Sequence, residues 1–140
     1  MRATRSRRRG LLELLVLTSI IEHGRIHGYG IYKKLVDSAP SYWKPSIGTL
    51  YRVLNSLVVN GLVTRAEAVV NGRRVVYYSV TDKGVDEFFK IAECILNKIY
   101  AGVKLLLPAL ASMKTKDNRV DYFNTVFENI YTLLKNYLGK

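Results

Sequence analysis

The sequence predicts a mainly α fold with a small β-hairpin, on three observations. Short amphipathic segments separated by Gly and Pro occupy the first 60 of 140 residues. An Asn-Gly dipeptide at Asn71 and Gly72 sits between two β-branched runs. After Thr81, apolar residues recur at spacings of three and four down to the C-terminus.

Taken in order, residues 1–10 form a basic arm. It carries Arg2, Arg5, Arg7, Arg8 and Arg9 with little apolar to hold them to a core, so a flexible segment is expected. Leu11, Leu14, Leu15, Thr18, Ile21 and Glu22, recurring at spacings of three and four, then predict a first helix to about His23 with Gly24 as C-cap. Tyr29, Ile31, Tyr32, Leu35 and Val36 predict a second helix over about 28–38, which Pro40 ends. Pro45 and Ser46 are placed to open a third. The Ser46 oxygen caps a free amide of its first turn, and Gly61 stops it after about Asn60.

"LVTRAEAVV" and "RVVYYSVT" follow as the strands of the hairpin, with Tyr77 and Tyr78 alternating so that one packs inward and the other faces out. Three short helices and a two-stranded hairpin in this order make a winged helix-turn-helix unit over residues 11–81. Thr81 caps the next helix, Asp82, Asp86 and Glu87 lie near its positive end, and Pro108 kinks or ends it. A last helix starts near Asp117. Such helices cannot bury their stripes on themselves, so residues 82–140 either fold back on the winged unit or pair with a second copy. A homodimer is the expectation, with Phe88, Ala92, Ile95, Ile99, Val103, Leu106, Phe123, Phe127, Ile130 and Leu134 at its seam.

Charge narrows the partner. The net charge is +11, and it is uneven: residues 1–80 hold 13 Lys and Arg against 4 Asp and Glu, residues 81–140 hold 9 against 7. A polyanion is the expected partner of the first part, although an anionic membrane surface fits the asymmetry equally. No unbroken apolar run reaches the roughly 18 to 20 residues of a membrane span, no cleavage site follows the N-terminus, and a cytoplasmic location is expected. The single cysteine, Cys94, cannot close an intramolecular disulfide and is expected as a buried thiol. With only His23 and His27 beside it there is no metal-ligand spacing, and no metal or cofactor is expected.

The third helix has two faces. Ile47, Leu50, Leu54, Leu57 and Val58 fall in one sector, the core side. The other carries Gly48, Thr49, Arg52, Asn55 and Ser56, with Tyr51 on the border. A merely solvated face would carry Lys and Glu four residues apart, and none is present. Small residues allow close approach, Arg52 can reach a guanine edge or a phosphate, Asn55 matches adenine, and the Tyr51 hydroxyl can bond a phosphate oxygen. This is a surface for the major groove of double-stranded DNA. Asn71, Arg73 and Arg74 at the hairpin tip suit a minor groove or the phosphates beside it.

"HGYGIYKKL", "SIGTLYRVLNSLVVNGLV" and "NGRRVVYYSVTDKG" resemble, in order and spacing, the signature stretches of PadR-like transcriptional regulators over residues 11–88. The resemblance implies a winged-helix repressor that binds a pseudo-palindromic operator as a homodimer joined through C-terminal helices. It places Thr49 and Tyr51 at DNA-facing positions and Arg73 and Arg74 on the basic wing. Arg52 stands where the family usually has proline after GTLY, which implies a further DNA contact. Residues 89–140 are similar only in type. Many relatives respond to small aromatic or cationic effectors, for which Trp43, Phe88, Phe89, Cys94 and Tyr100 are candidate pocket residues.

Ser46, Gly48, Thr49, Tyr51, Arg52, Asn55, Asn71, Arg73 and Arg74, with Arg7, Arg8 and Arg9 of the arm, are therefore the candidate DNA-binding residues. A sequence-tolerant architectural binder is the alternative, because arginine-rich arms add affinity without reading bases. An enzyme is not expected. The winged part holds only Glu13, Glu22, Asp37 and Glu67 as carboxylates, no glycine loop cradles a phosphate, and the two histidines suit hydrogen-bonded structural roles at a turn.

Overall fold

A computed structural model describes residues 9–113 and 117–139. The elements run α1 (Leu11–His23), β1 (Ile26–His27), α2 (Gly28–Ser38), a 3-10 turn (Ser41–Trp43), α3 (Ile47–Val59), β2 (Val63–Val70), β3 (Arg73–Val80), α4 (Asp82–Met113) and α5 (Arg119–Leu138). Contacts divide the chain into two compact units, one ending at Leu96 and the other starting at Asn97.

In the first unit the expected two-stranded hairpin is part of a three-stranded antiparallel sheet of order β1-β3-β2. Ile26 and His27 supply the extra strand, pairing with Tyr78 and Tyr77. Two residues are too few to show alternation in sequence. The hairpin itself closes as a tight turn, with Asn71 at φ 51° and Gly72 at φ 78°, the left-handed pair that a two-residue connection of this twist requires.

The core gathers Val16, Leu17 and Ile20 of α1, Ile31 of α2 and Leu50, Leu54 and Leu57 of α3, all fully buried. The periodic residues of α1 do not share one environment: Leu14 is inside, but Leu11, Thr18, Ile21 and Glu22 are exposed. "LLELLVLTSII" is apolar at nearly every position, so its period does not select a face. Tyr78 is the inward tyrosine at 3% exposure, while Tyr77 is half-buried. His23 and His27 both make local hydrogen bonds, His23 Nδ1 with the Ser19 carbonyl at 2.9 Å and His27 Nδ1 accepting from the Gly30 amide at 3.0 Å.

The junction of α3, β2 and α4 is held by one hydroxyl. Thr81 Oγ1 accepts from the Gly84 amide at 3.0 Å and donates to the Gly61 carbonyl at 2.8 Å, while the Thr81 amide donates to the Leu62 carbonyl at 3.0 Å. The first turns of α4 then lie on the core through Ile91, with Phe88, Ala92 and Ile95 packed beside it. These last three, expected at a dimer seam, therefore pack against their own unit. Cys94 is exposed rather than buried, because the inward positions of this stretch are taken by Ile91, Ala92 and Ile95.

In the second unit α4 does not end at Pro108 but runs on to Met113. Proline removes one helical bond, and the helix formers Leu105, Leu106 and Leu107 before it and Ala109, Leu110 and Ala111 after it carry the helix across. Leu110 and Val120 are buried. Of the other residues expected at a seam, Val103 and Phe127 are half-buried and Ile99, Leu106, Phe123, Ile130 and Leu134 are exposed. Among the described residues α4 is the one helix long and apolar enough to cross a membrane by length and composition, with a stretch of mean hydropathy 1.4 that is 6% buried. Lys98 and Lys104 break the apolar runs of α4, which reaches this level only when its hydropathy is averaged over 18 residues.

Candidate nucleic-acid interface

α3 begins at Ser46, whose Oγ accepts from the Thr49 amide at 3.1 Å and donates to Thr49 Oγ1 at 2.9 Å. The Ser46 hydroxyl is thus spent on capping, and it leaves the Thr49 O–H free to donate outward. Burial of Leu50, Leu54 and Leu57 turns Gly48, Tyr51, Arg52 and Asn55 to the surface, with Thr49 and Ser56 half-buried. The core sector is narrower than its sequence reading: Ile47 is 44% exposed and Val58 half-buried, since Ile47 sits at the helix end and overhangs the core. Gly48 is not demanded by packing. A Cβ there would meet only Ser46 Oγ, at 4.0 Å.

The hairpin tip exposes Asn71, Gly72, Arg73 and Arg74. Arg74 Nε lies 3.4 Å from the Glu67 carboxylate on the neighbouring strand, so part of its charge is already answered. Arg9 is also engaged. Its Nε lies 3.4 Å from Glu87 and its side chain is 13% exposed, which ties the root of the arm to α4. Arg7 and Arg8 fall outside the described residues.

Between the first turn of α2, α3 and the sheet lies a groove of about 490 Å³. Tyr51 and Asn55 line it from α3, Arg65, Arg74 and Tyr78 from the hairpin, and Tyr29 from α2. Tyr51 lies flat on α2 because Gly28 has no side chain: a Cβ there would come within 2.5 Å of the Tyr51 hydroxyl. Burial pushes the Tyr78 phenol above its ordinary pKa, the Arg65 charge pulls it partly back, and neighbouring Tyr51 adds to the rise. Tyr78 is therefore a neutral hydrogen-bond donor at physiological pH. Outside the groove, the Arg25 guanidinium sits 4.0 Å over the Tyr77 ring, and the His27 ring stacks on Tyr77 with centroids 6.1 Å apart.

Arg25, Tyr29, Arg65 and Tyr78 are members of this surface that sequence reasoning missed. Arg65 had a signal, since alternation from the inward Val63 puts it on the inner face, opposite Tyr78. Arg25 had none, lying in the two-residue gap before β1. Among the described residues no three His, Cys, Asp or Glu side chains gather as metal ligands.

Residues 16–90, more than half of the chain and the whole of this surface from Arg25 to Tyr78, match the Transcriptional regulator PadR-like family. The chain belongs to that family. Its PadR-like fold is shared with a PadR family transcription regulator from Clostridium difficile R20291, at 25% identity and TM-score 0.57 over 70% of this chain and 99% of that one. A PadR family transcriptional regulator from Eggerthella lenta is 29% identical, with TM-score 0.57 over 71% of this chain and 84% of that one. Bacillus subtilis PadR, solved in complex with operator DNA, is 18% identical, with TM-score 0.53 over 76% and 70% of the two chains, and is similar in fold. No curated protein matches the chain. The family is one of transcriptional regulators, and the winged helix-turn-helix with helices after it is the architecture observed.

Proposed function

We propose that this PadR-like regulator binds DNA sequence-specifically as a homodimer on a pseudo-palindromic operator, acting as a repressor in the cytoplasm. The observation that carries this reading is the outer face of α3, where Gly48, Thr49, Arg52 and Asn55 stand, among the described residues, without stabilising ion pairs beside the basic hairpin tip. The operator complex of Bacillus subtilis PadR, a protein of the same fold, supports it. In this reading residues 11–81 are the DNA-binding domain and residues 82–140 the dimerisation region.

The exposed apolar residues of α4 and α5 support a second copy as their cover. Ile99, Leu106, Ile130 and Leu134 are each more than 40% exposed. Lipid is disfavoured as the cover of α4 because Lys98 and Lys104 interrupt its apolar stretch, and a lysine at mid-bilayer costs about 2.5 to 3.5 kcal/mol.

A small aromatic or cationic effector belongs to the same proposal. Of the candidate residues, Trp43 lines an apolar cavity of about 570 Å³ with Leu11, Leu15, Leu35 and Tyr42. Phe89 and Tyr100 are surface residues on α4.

Selection of bound fragments from a random DNA library, followed by affinities for the winner and for scrambled DNA at one salt concentration, tests the function. A two-fold symmetric motif with half-sites about one helical turn apart is expected. Comparable affinity for every fragment would move the protein to the architectural class, which the arginine-rich arm favours.

Gly48→Ala separates fold from function. Removing a helical glycine with open space around it is expected to leave stability unchanged or raise it by about 0.5 kcal/mol. The added methyl group stands where the groove must approach, so operator affinity falls severalfold. Parallel thermal melts and anisotropy titrations read the two effects, and a loss of both together would mean that Gly48 serves the fold.

A further inference from the structure

The groove between α2, α3 and the sheet holds a hydroxyl that the chain itself does not use. Tyr78 is 3% exposed, and among the described residues its hydroxyl has no hydrogen-bond partner. Since no sealed side-chain polar atom among them lacks a partner, this hydroxyl opens into the groove that Tyr78 lines. The ring is packed in the core while its oxygen faces the opening, and phenylalanine would fill the same space. The oxygen is thus available to an acceptor that arrives from outside.

The surroundings define that acceptor. Arg65 stands directly opposite Tyr78 in the strand register, Tyr51 brings a second hydroxyl, and Arg74 stands at the wing side. The first turn of α2, a helix of 11 residues, closes the remaining side with its positive end. No carboxylate is among the lining residues, and Glu67, 3.4 Å from Arg74 Nε, answers part of the Arg74 charge and leaves Arg65 as the main cation of the groove. Two hydroxyl donors, guanidinium groups and a helix N-terminus around one opening suit a singly charged anion with several acceptor oxygens.

We propose that the groove is a seat for one backbone phosphate of DNA, held by the Tyr78 and Tyr51 hydroxyls and paired with Arg65. This rests on the DNA-binding reading above and adds the contact that sets how deep α3 enters its groove. DNA is the source because Asn55 lies both on the outer face of α3 and in the wall of this groove. A duplex laid along α3 brings its sugar-phosphate edge to the opening.

The test uses Tyr78→Phe, which removes one oxygen from a ring whose packing stays, in the full-length protein. Affinities are measured for the selected operator and for duplexes in which single phosphates are replaced, one at a time, by uncharged methylphosphonate. Wild-type protein is expected to lose about five- to tenfold at one phosphate per half-site. The variant has already lost part of that amount, because Tyr51 and Arg65 still hold the phosphate, and its further loss on replacement at the same position is smaller than that of the wild type. Unchanged affinity of Tyr78→Phe, or a replacement profile identical to wild type, overturns the proposal. Inorganic phosphate that binds the DNA-free wild type but not the variant, with an unaltered DNA profile, assigns the groove to free phosphate and overturns the backbone seat. Failure of the wild type to bind any duplex is seen before a variant is made, and it overturns the regulator reading itself.

Discussion

Gly84→Ala is expected to lower the midpoint of thermal unfolding by roughly 10 °C, from a destabilisation of about 3 kcal/mol. In most helices the same change is favourable, because alanine loses less backbone freedom than glycine on folding. Here a Cβ would lie 2.0 Å from the Leu62 carbonyl oxygen and 2.6 Å from Val80 Cγ2. The first obstacle is backbone, so it cannot rotate away. That carbonyl also accepts from the Thr81 amide, and pushing α4 outward would strain the bonds by which Thr81 joins α4 to the end of α3. Circular dichroism melts of wild type and variant check the prediction. An unchanged midpoint would show that the first turn of α4 can move off Leu62 without cost.

Arg52→Ala is expected to weaken operator binding by about 1 to 3 kcal/mol and to relax the preference at one base pair of each half-site. Arg52 is exposed on α3 and, among the described residues, forms no ion pair, so its removal leaves the fold nearly untouched. Loss of affinity with an unchanged melt is the expected signature. Binding to a panel of single-base operator variants separates base reading from phosphate contact. An affinity that falls evenly across the panel would place Arg52 on the backbone.

The parts of the fold carried by local chemistry were legible in the sequence. Ser46 is a cap because of its side chain, Asn71 and Gly72 form the turn because both tolerate positive φ, and Leu50, Leu54 and Leu57 mark one face of α3 by spacing alone. What escaped depended on partners distant in sequence. β1 exists because β3 offers it an edge, and two residues carry no period of their own. α1 is apolar around its circumference, so only packing could choose its buried side. Phe88, Ala92 and Ile95 continue the same stripe as Ile99, and nothing in the spacing says where the core of the first unit stops covering it. Within the candidate site, the face of α3 and the wing tip were readable, whereas the groove required knowing that Arg65 faces Tyr78 and that Gly28 makes room for Tyr51.

Trp43 gives the protein an optical property. It is the single tryptophan of the chain, half-buried in the 3-10 turn three residues before the cap of α3. Ultraviolet emission excited at the red edge of the protein band therefore comes from one point, the hinge through which the chain passes from α2 into α3. A solute entering the cavity beside its indole and a duplex settling on α3 both act within a few residues of that lamp. Unlabelled protein thus carries a built-in reporter at the place where small-molecule occupancy and DNA docking would meet.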